Sequence, residues 1–338
     1  MNDKLFKFDN SIGSYEDVLP FKLLREHARA KGYDMKTIDM SSNPEKAFAV
    51  IFFDVPSSSD KYYGFCIRNK MQDRMYVYAA EPPATYPSNY DKSKHGDFGG
   101  ILTFSDELVD NKKYFRFDYT LPIRYGKRIV IPKKPPFDSK KLLCLVSSNK
   151  FSSQRNELYS ERIKAIRFME RNHVRDFDLY GLDWDKPVIH NRWASAIKLS
   201  GAILVFWPDS IKSRSFISYT GKTVDDKRKV LPKYKFTIAY ENCITPGYIS
   251  EKILEAMFSG CVPIYLGDPH VERRVPRNCF VDKRRYPTYE SLYEYISEME
   301  KGEHEKYLKN IEKFLNSKSI YPFTVDAFIG SFERMLGI

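Results

Sequence analysis

Long apolar runs, a C-x-x-C pair and an apolar run near the first residues are all missing from this sequence, and each absence argues against a class of protein. No stretch approaches the ~20 consecutive apolar residues that a membrane-spanning helix needs. The N-terminal MNDKLFKFDNSIGSYEDV has no positive region followed by an apolar run, so it does not read as a secretory leader. Five cysteines (Cys66, Cys144, Cys243, Cys261 and Cys279) form an odd set without a C-x-x-C pair, which argues against a disulfide framework and a zinc knuckle. They read instead as small buried hydrophobes. No N-x-S/T acceptor occurs, and the six histidines show no metal-ligand spacing. Gly221-Lys222-Thr223 looks like the end of a phosphate loop, but the first glycine of that loop would fall at Phe216, so the pattern fails. The expectation is a cytoplasmic protein.

What the chain does carry is size, aromatics and positive charge. With 338 residues it exceeds the usual single domain, so two domains are expected. A hydrophobic fraction of 42%, with 24 Tyr and 24 Phe, suffices for two cores. The formal charge of +11 suggests an anionic partner: a nucleotide diphosphate, an acidic glycan, an anionic lipid or a nucleic acid. A basic nucleic-acid-binding protein would show unbalanced basic stripes, yet 44 acidic residues are interleaved with 55 basic ones and no nucleic-acid motif occurs.

Strand and helix signals alternate through residues 1 to about 130: strands at Leu5 to Phe8, Ala47 to Val55, Met75 to Ala80, Ile101 to Phe104 and Tyr114 to Tyr119, and a helix from Phe21 to Lys31 stopped by Gly32. The run IPKKPPFDSKK (131–141) reads as an exposed linker. A second series begins with a strand at Leu142 to Val146, a helix from about Ser153 to Arg171 and a strand at Phe177 to Tyr180. It ends in helices at Tyr289 to Lys301, around Tyr307 to Leu315, and after Pro322, where Val325, Phe328, Ile329, Phe332 and Leu336 share one face. The segment 187–216 contains Trp193, Trp207 and SGAILVFW. The lysines and arginines from Lys212 to Lys235 suggest contact with a bound anion or an anionic membrane surface.

Most of the polar chemistry sits in one unit, FTIAYENCITPGYISEKILEAMFSGCVPIYLG (236–267). Phe236 to Tyr240 reads as a buried parallel strand, and Ile253, Leu254, Met257 and Phe258 recur at helical spacing. Ser250 is the expected N-cap and Gly260 the C-terminal stop. Glu241, Asn242, Gly247 and Tyr248 thereby fall at the carboxyl edge of a sheet, where open α/β folds bind ligands. A helix N-terminus there, beside the charge of Lys252, attracts an anion such as phosphate.

The segments YENCITPGYISEK and ILEAMFSGCVPIYLG resemble the donor-binding signature of the α1,3/4-fucosyltransferase family, with Cys243 and Ser250 as its departures from the commoner Ser and Thr. The resemblance implies an α/β fold of two Rossmann-like domains facing a cleft (GT-B). The acceptor-binding domain would span 1–137, the GDP-sugar domain 138–318, and a helix in 319–338 would cross back to the first domain. It implies Glu81 as catalytic base, upstream of FGGILTFSDEL. The two prolines after Glu81 independently make it a rigid mount at a strand end. Arg155 and Lys252 would hold the diphosphate, a planar guanidinium suiting bidentate phosphate contact. Asn242, Tyr248 and Glu251 would line the donor pocket, with Lys222 as a further phosphate candidate.

The activity implied is transfer of L-fucose from GDP-fucose to an oligosaccharide or glycolipid acceptor, with α1,3 linkage to N-acetylglucosamine, by single displacement with inversion. The settings would be protein glycosylation or lipopolysaccharide biosynthesis. No cofactor is expected and no divalent metal is required, although Asp176-Phe177-Asp178 and Asp183-Trp184-Asp185 have the D-x-D spacing of metal-dependent transferases. A different GDP-sugar on the same fold is the rival reading. Partners are thus the nucleotide sugar and a glycan, with no nucleic acid, and peripheral contact with the inner face of a membrane is a further expectation.

Overall fold

The computed structural model describes residues 15–131, 135–185, 216–221 and 227–338. Lys222, the strand expected at 5–8 and most of 187–216 lie outside the described residues. Strands β1 (Val50–Phe53), β2 (Met75–Ala79), β3 (Gly100–Thr103) and β4 (Tyr114–Arg116) form a sheet in sequential order. Strands β5 (Lys141–Val146), β6 (Phe177–Tyr180), β7 (Tyr219–Gly221), β8 (Tyr234–Tyr240), β9 (Val262–Leu266) and β10 (Val281–Asp282) form a second, ordered β10-β9-β8-β5-β6-β7. All described pairings are parallel. Parallel sheets bury both faces, which explains why β8 and β9 are buried except at Lys235 and Leu266.

The helices are α1 (Tyr15–Ala30), α2 (Lys61–Arg68), α3 (Tyr159–Asn172), α4 (Glu251–Phe258), α5 (Tyr289–Glu298), α6 (Lys301–Leu315) and α7 (Val325–Leu336). Three differ from the sequence reading, the first being α1, which begins at Tyr15 rather than Phe21 and carries Pro20 inside it. Helix α2 was not expected, because KYYGFCIR has an interior glycine and a short apolar face; its signal is Asp60, whose side chain accepts from Tyr62 N and Tyr63 N at 2.9 Å. Helix α3 begins at Tyr159 rather than near Ser153. The preceding residues are drawn away to pair with the loop after β8: Ile244 N donates to Asn156 O at 2.8 Å and Leu158 N to Asn242 O at 2.9 Å.

After α6 the chain returns to the first sheet. Leu121 N donates to Phe323 O at 2.9 Å and Val325 N to Ile123 O at 3.0 Å, so the outgoing and returning segments run side by side. Helix α7, capped by Thr324 and ended by left-handed Gly337, buries Val325, Phe328, Ile329, Phe332 and Met335 among Phe21, Tyr78, Leu102, Phe104 and Phe117. At about 1.5–3 kcal/mol for each large side chain buried, this contact is worth on the order of 10 kcal/mol before ordering costs.

The carboxyl edges of the two sheets meet. Asp106 N donates to Pro246 O at 3.1 Å, and Arg116 Nη2 donates to Gly247 O at 3.0 Å. Gly247 has φ +88°, and a Cβ there would sit 2.2 Å from Phe104 O, so the approach of the domains requires glycine. Arg116 also binds Asp106 (2.7 Å) and Asp118. From the opposite side Arg274 reaches Asp106 at 2.6 Å, Asp118 at 3.3 Å and the fully buried Asp268 at 3.7 Å. Arg274→Ala would leave three carboxylates facing one another with one arginine. The expected cost is about 3 kcal/mol, since breaking a largely buried pair strands its partners, and it is read as a lowered denaturation midpoint. Asp268→Asn in that background should restore part of it. A change below about 0.5 kcal/mol, ordinary for a surface substitution, would show that the junction does not depend on Arg274.

Candidate active site

In the second sheet the connections diverge at β5 and β8: β5 leads through α3 to β6 on one side, while β8 lies on the other. This switch point opens a crevice at the carboxyl ends of the two strands, between the loops 147–158 and 241–250. The loop after β8 is fastened by a buried carboxylate. Glu241, fully buried, accepts from Ser250 N at 2.8 Å through Oε1 and from Ser250 Oγ at 2.6 Å through Oε2. Ser250 in turn N-caps α4 and accepts from Lys252 Nζ at 2.9 Å. Lys252 Nζ lies 3.6 Å from Glu241 and 3.2 Å from Glu251. Burial raises the Glu241 carboxyl, whereas Lys252 and the Ser250 bonds favour its charged form. Gly267 makes room for this arrangement, because a Cβ there would come within 2.4 Å of Glu241 Cγ.

Glu81 approaches from the first sheet, two residues beyond Ala79 at the end of β2. Its backbone is held on both sides: its N–H donates to Asp54 Oδ1 at 3.1 Å, and its carbonyl accepts from Asn89 Nδ2 at 3.0 Å and Tyr90 OH at 3.3 Å. Asp54, in the left-handed region at φ +60°, also takes Ala80 N at 2.9 Å and Asn89 Nδ2 at 2.6 Å. The half-buried Glu81 side chain therefore stands on a mount that leaves it little freedom. Burial pushes its carboxyl above the ordinary value, the charge of Asp54 pushes further, and Lys150 and Lys252 of the second domain pull it back. A first-domain carboxylate thus feels two second-domain cations across the cleft.

The other expected residues fall into four groups. Glu251 and Asn242 are at the crevice. Burial alone would raise Glu251, but Lys252 and Lys227 outweigh it and hold the carboxyl well below the usual range. Asn242 Oδ1 accepts from Arg162 Nη2 at 3.1 Å. Arg155 is exposed on the loop between β5 and α3, not on a helix as expected, beside the residues paired with 242–244. Tyr248 reaches the cleft but is turned into the junction between domains, with its ring 4.7 Å from Phe104 and 6.3 Å from Tyr119. Lys222 lies outside the described residues.

Two cations, Lys150 and Arg162, escaped the sequence reading, and a third, Lys227, was read only as part of a basic run. Lys150 sits on the loop before α3. Arg162, buried, donates to Tyr240 O and Glu241 O at 2.7 Å, so it holds the end of β8 from behind. Lys227 pairs with Glu255 at 2.7 Å. Arg162, Lys227 and Lys252 border one cavity of about 20 Å³ between β5, β8 and α4. Only their separate positions are visible in sequence. Lys252 beside an N-cap serine after a buried strand gives a signal, whereas Arg162, near the start of a helix whose beginning is itself misread, gives none. Asp178 of the D-x-D pattern is engaged with Lys141 at 2.7 Å and Tyr234 OH at 2.5 Å. Among the described residues no group of three or more His, Cys, Asp or Glu converges as for a metal.

Residues 211–318 match the family described as glycosyltransferase family 10 (fucosyltransferase) C-term. This stretch of the chain is similar to a fucosyltransferase-family domain. That domain contains β8, α4 and all of the 241–252 loop. An α(1,3)-fucosyltransferase of Helicobacter pylori is 36% identical over 76 residues, 22% of this chain and 16% of that relative. A GDP-fucose protein O-fucosyltransferase 3 of Danio rerio is 31% identical over 128 residues, 33% of this chain and 28% of that relative. The chain thus spans less than a third of the length of these curated relatives. A crystal structure of α1,3-fucosyltransferase with GDP-fucose aligns with TM-score 0.47 and 16% identity, over 87% of this chain and 80% of that one.

Ser250→Ala tests whether Glu241 holds the loop of this domain. It removes both the cap of α4 and one of the two Ser250 bonds to a fully buried carboxylate, so a loss of about 1–3 kcal/mol in unfolding free energy is expected. Thr at the same position should preserve most of it. If Ala is as stable as Ser, the Glu241–Ser250 bonds do not hold the loop.

Proposed function

We propose that the protein transfers L-fucose from GDP-fucose to a hydroxyl of an oligosaccharide or glycolipid acceptor, with α1,3 linkage to N-acetylglucosamine, by a single inverting displacement. The observation that carries this reading is Glu81, held on a rigid first-domain mount, with its carboxyl within electrostatic reach of Lys150 and Lys252 of the second domain. The acceptor hydroxyl gives its proton to Glu81 as its oxygen bonds to the anomeric carbon. The bond from that carbon to the β-phosphate oxygen breaks on the opposite face, and GDP leaves with the electron pair. A charge-assisted cluster meets the charge that develops there: Lys252, the first-turn amides of α4, and Arg155 once its exposed loop folds over the donor. Asn242 and Glu251 are the candidates for the ribose and sugar hydroxyls. Tyr248 acts from behind, fixing the loop against Phe104. With the diphosphate charge met by cations, no divalent metal is required.

The similarity of residues 211–318 to fucosyltransferases supports fucose over other sugars, and the nucleotide tests it. GDP at about a hundred times its dissociation constant should stabilise the fold by roughly 2.7 kcal/mol, and turnover of GDP-fucose should persist in excess chelator. Stronger stabilisation by UDP, or transfer from another GDP-sugar only, would overturn the assignment.

The base makes a separate prediction. Glu81→Gln should lower kcat by about a hundredfold to ten-thousandfold and leave GDP affinity unchanged. A base works deprotonated, so activity should fall as pH drops through the Glu81 pKa. Because that pKa is raised, mainly by burial, the acidic limb should lie above the range of an ordinary glutamate. Asp54→Asn keeps an acceptor oxygen for Ala80 and Glu81 but removes the neighbouring charge, so it should move the limb to lower pH. A limb that does not move in Asp54→Asn would mean that another group controls it.

A further inference from the structure

Far from the crevice, the chain that leaves the first domain and the end of α6 enclose an open groove of about 750 Å³. Arg124, Lys127 and Arg128 border it on one side, and Lys309, Lys313 and Lys318 on the other, with Glu312 as its one acidic lining residue. Asn316, which also lines it, joins the two sides: its side chain accepts from Ile129 N at 2.9 Å and donates to Ile129 O at 3.1 Å. Arg124 is paired with Asp326 at 2.8 Å. Among the described residues the other five cations form no ion pair. Lys309 and Lys313 stand one helical turn apart, an arrangement that repels. The C-terminal end of α6 offsets part of that repulsion for Lys313.

Apolar groups stand beside these charges. Tyr125, which lines the groove, packs edge-on against Tyr321 at 5.0 Å, and both rings remain about two-fifths exposed (43% and 41%). Val130, just beyond Ile129, is 76% exposed. A site for one small anion would hold its cations in fixed geometry, as a buried guanidinium does. Here all six cations are exposed, five form no ion pair among the described residues, and the exposed ring of Tyr125 lies among them, packed on Tyr321. That combination matches a surface of many mobile headgroups over an apolar layer.

We propose that this groove and its aromatic rim are the surface by which the protein docks on an anionic lipid bilayer, with the cations on the headgroup phosphates and Tyr125, Val130 and Tyr321 at the acyl boundary. The site is separate from the donor crevice, and the proposal does not rest on the transfer reaction.

Co-sedimentation of the full chain with phosphatidylcholine vesicles, with and without phosphatidylglycerol, tests it. Binding is expected only to the anionic vesicles, released as salt shortens the Debye length. Lys127→Gln, Arg128→Gln and Lys313→Gln combined should lower partitioning by roughly fivefold for each charge removed. Thermal midpoint and GDP binding of this variant should match the parent. Tyr125→Ser with Tyr321→Ser should weaken vesicle binding without changing retention on heparin, which carries charge but no apolar layer. Should the triple variant misfold, Lys309→Gln with Lys318→Gln takes its place. Vesicle binding that is unchanged in both charge variants would overturn the proposal. So would tighter binding to a single-stranded RNA than to vesicles of equal phosphate concentration, or equal binding to neutral vesicles.

Discussion

The crevice depends on a carboxylate that never faces it. Glu241 ends β8 fully buried, in a place where an unpaired charge would cost several kcal/mol. Its two oxygens are met by the amide and the hydroxyl of Ser250, nine residues on. The loop between them is thereby closed on itself, and the start of α4 is set at one position. Lys252 then takes its place through Ser250 Oγ. Arg162 secures the same strand end from the other side. The phosphate candidate, the helix N-terminus and Glu251 thus inherit their geometry from one buried group.

The second constraint is the contact between carboxyl edges. Tyr248 and Gly247 belong to the loop that Glu241 closes, yet they pack on Phe104 and Arg116 of the first domain. The same loop therefore shapes the crevice and meets the opposing domain, so a shift of the domains would be transmitted to it. The shared arginines, Arg116 and Arg274, hold Asp106, Asp118 and Asp268 together where the sheets meet. With α7 spanning back to the first sheet, the two halves are tied at the front by charge and at the rear by apolar burial. Glu81 thereby comes within electrostatic reach of Lys150 and Lys252.

Legibility in the sequence followed the range of the interaction. The strand at 177–180 and the helix capped by Ser250 rest on neighbours within a few residues, and both have those limits in the structure. The apolar face of α7 was visible because its period is local, even though its partners are distant. The start of α3 was misread, because residues 156–158 bond to 242–244 and no local signal records that competition. Helix α2 was missed because its cap is local but its apolar face is short. Tyr248 was assigned to the pocket by resemblance, and the structure turns its ring into the domain junction.

By itself the sequence determined the chemical inventory of residues 236–267: a buried strand, a polar loop, a capped helix and a cation at its first turn. Periodicity and capping act over a few residues, so they are written in the local order of the chain. Only the tertiary structure decided which charges meet. Arg274 and Asp106 are 168 positions apart, and Glu81 feels Lys150 and Lys252 through the closed cleft. Such pairings follow from the packing of two sheets edge to edge. A sequence full of lysines, arginines and carboxylates permits many of them, and the three-dimensional fold selects one.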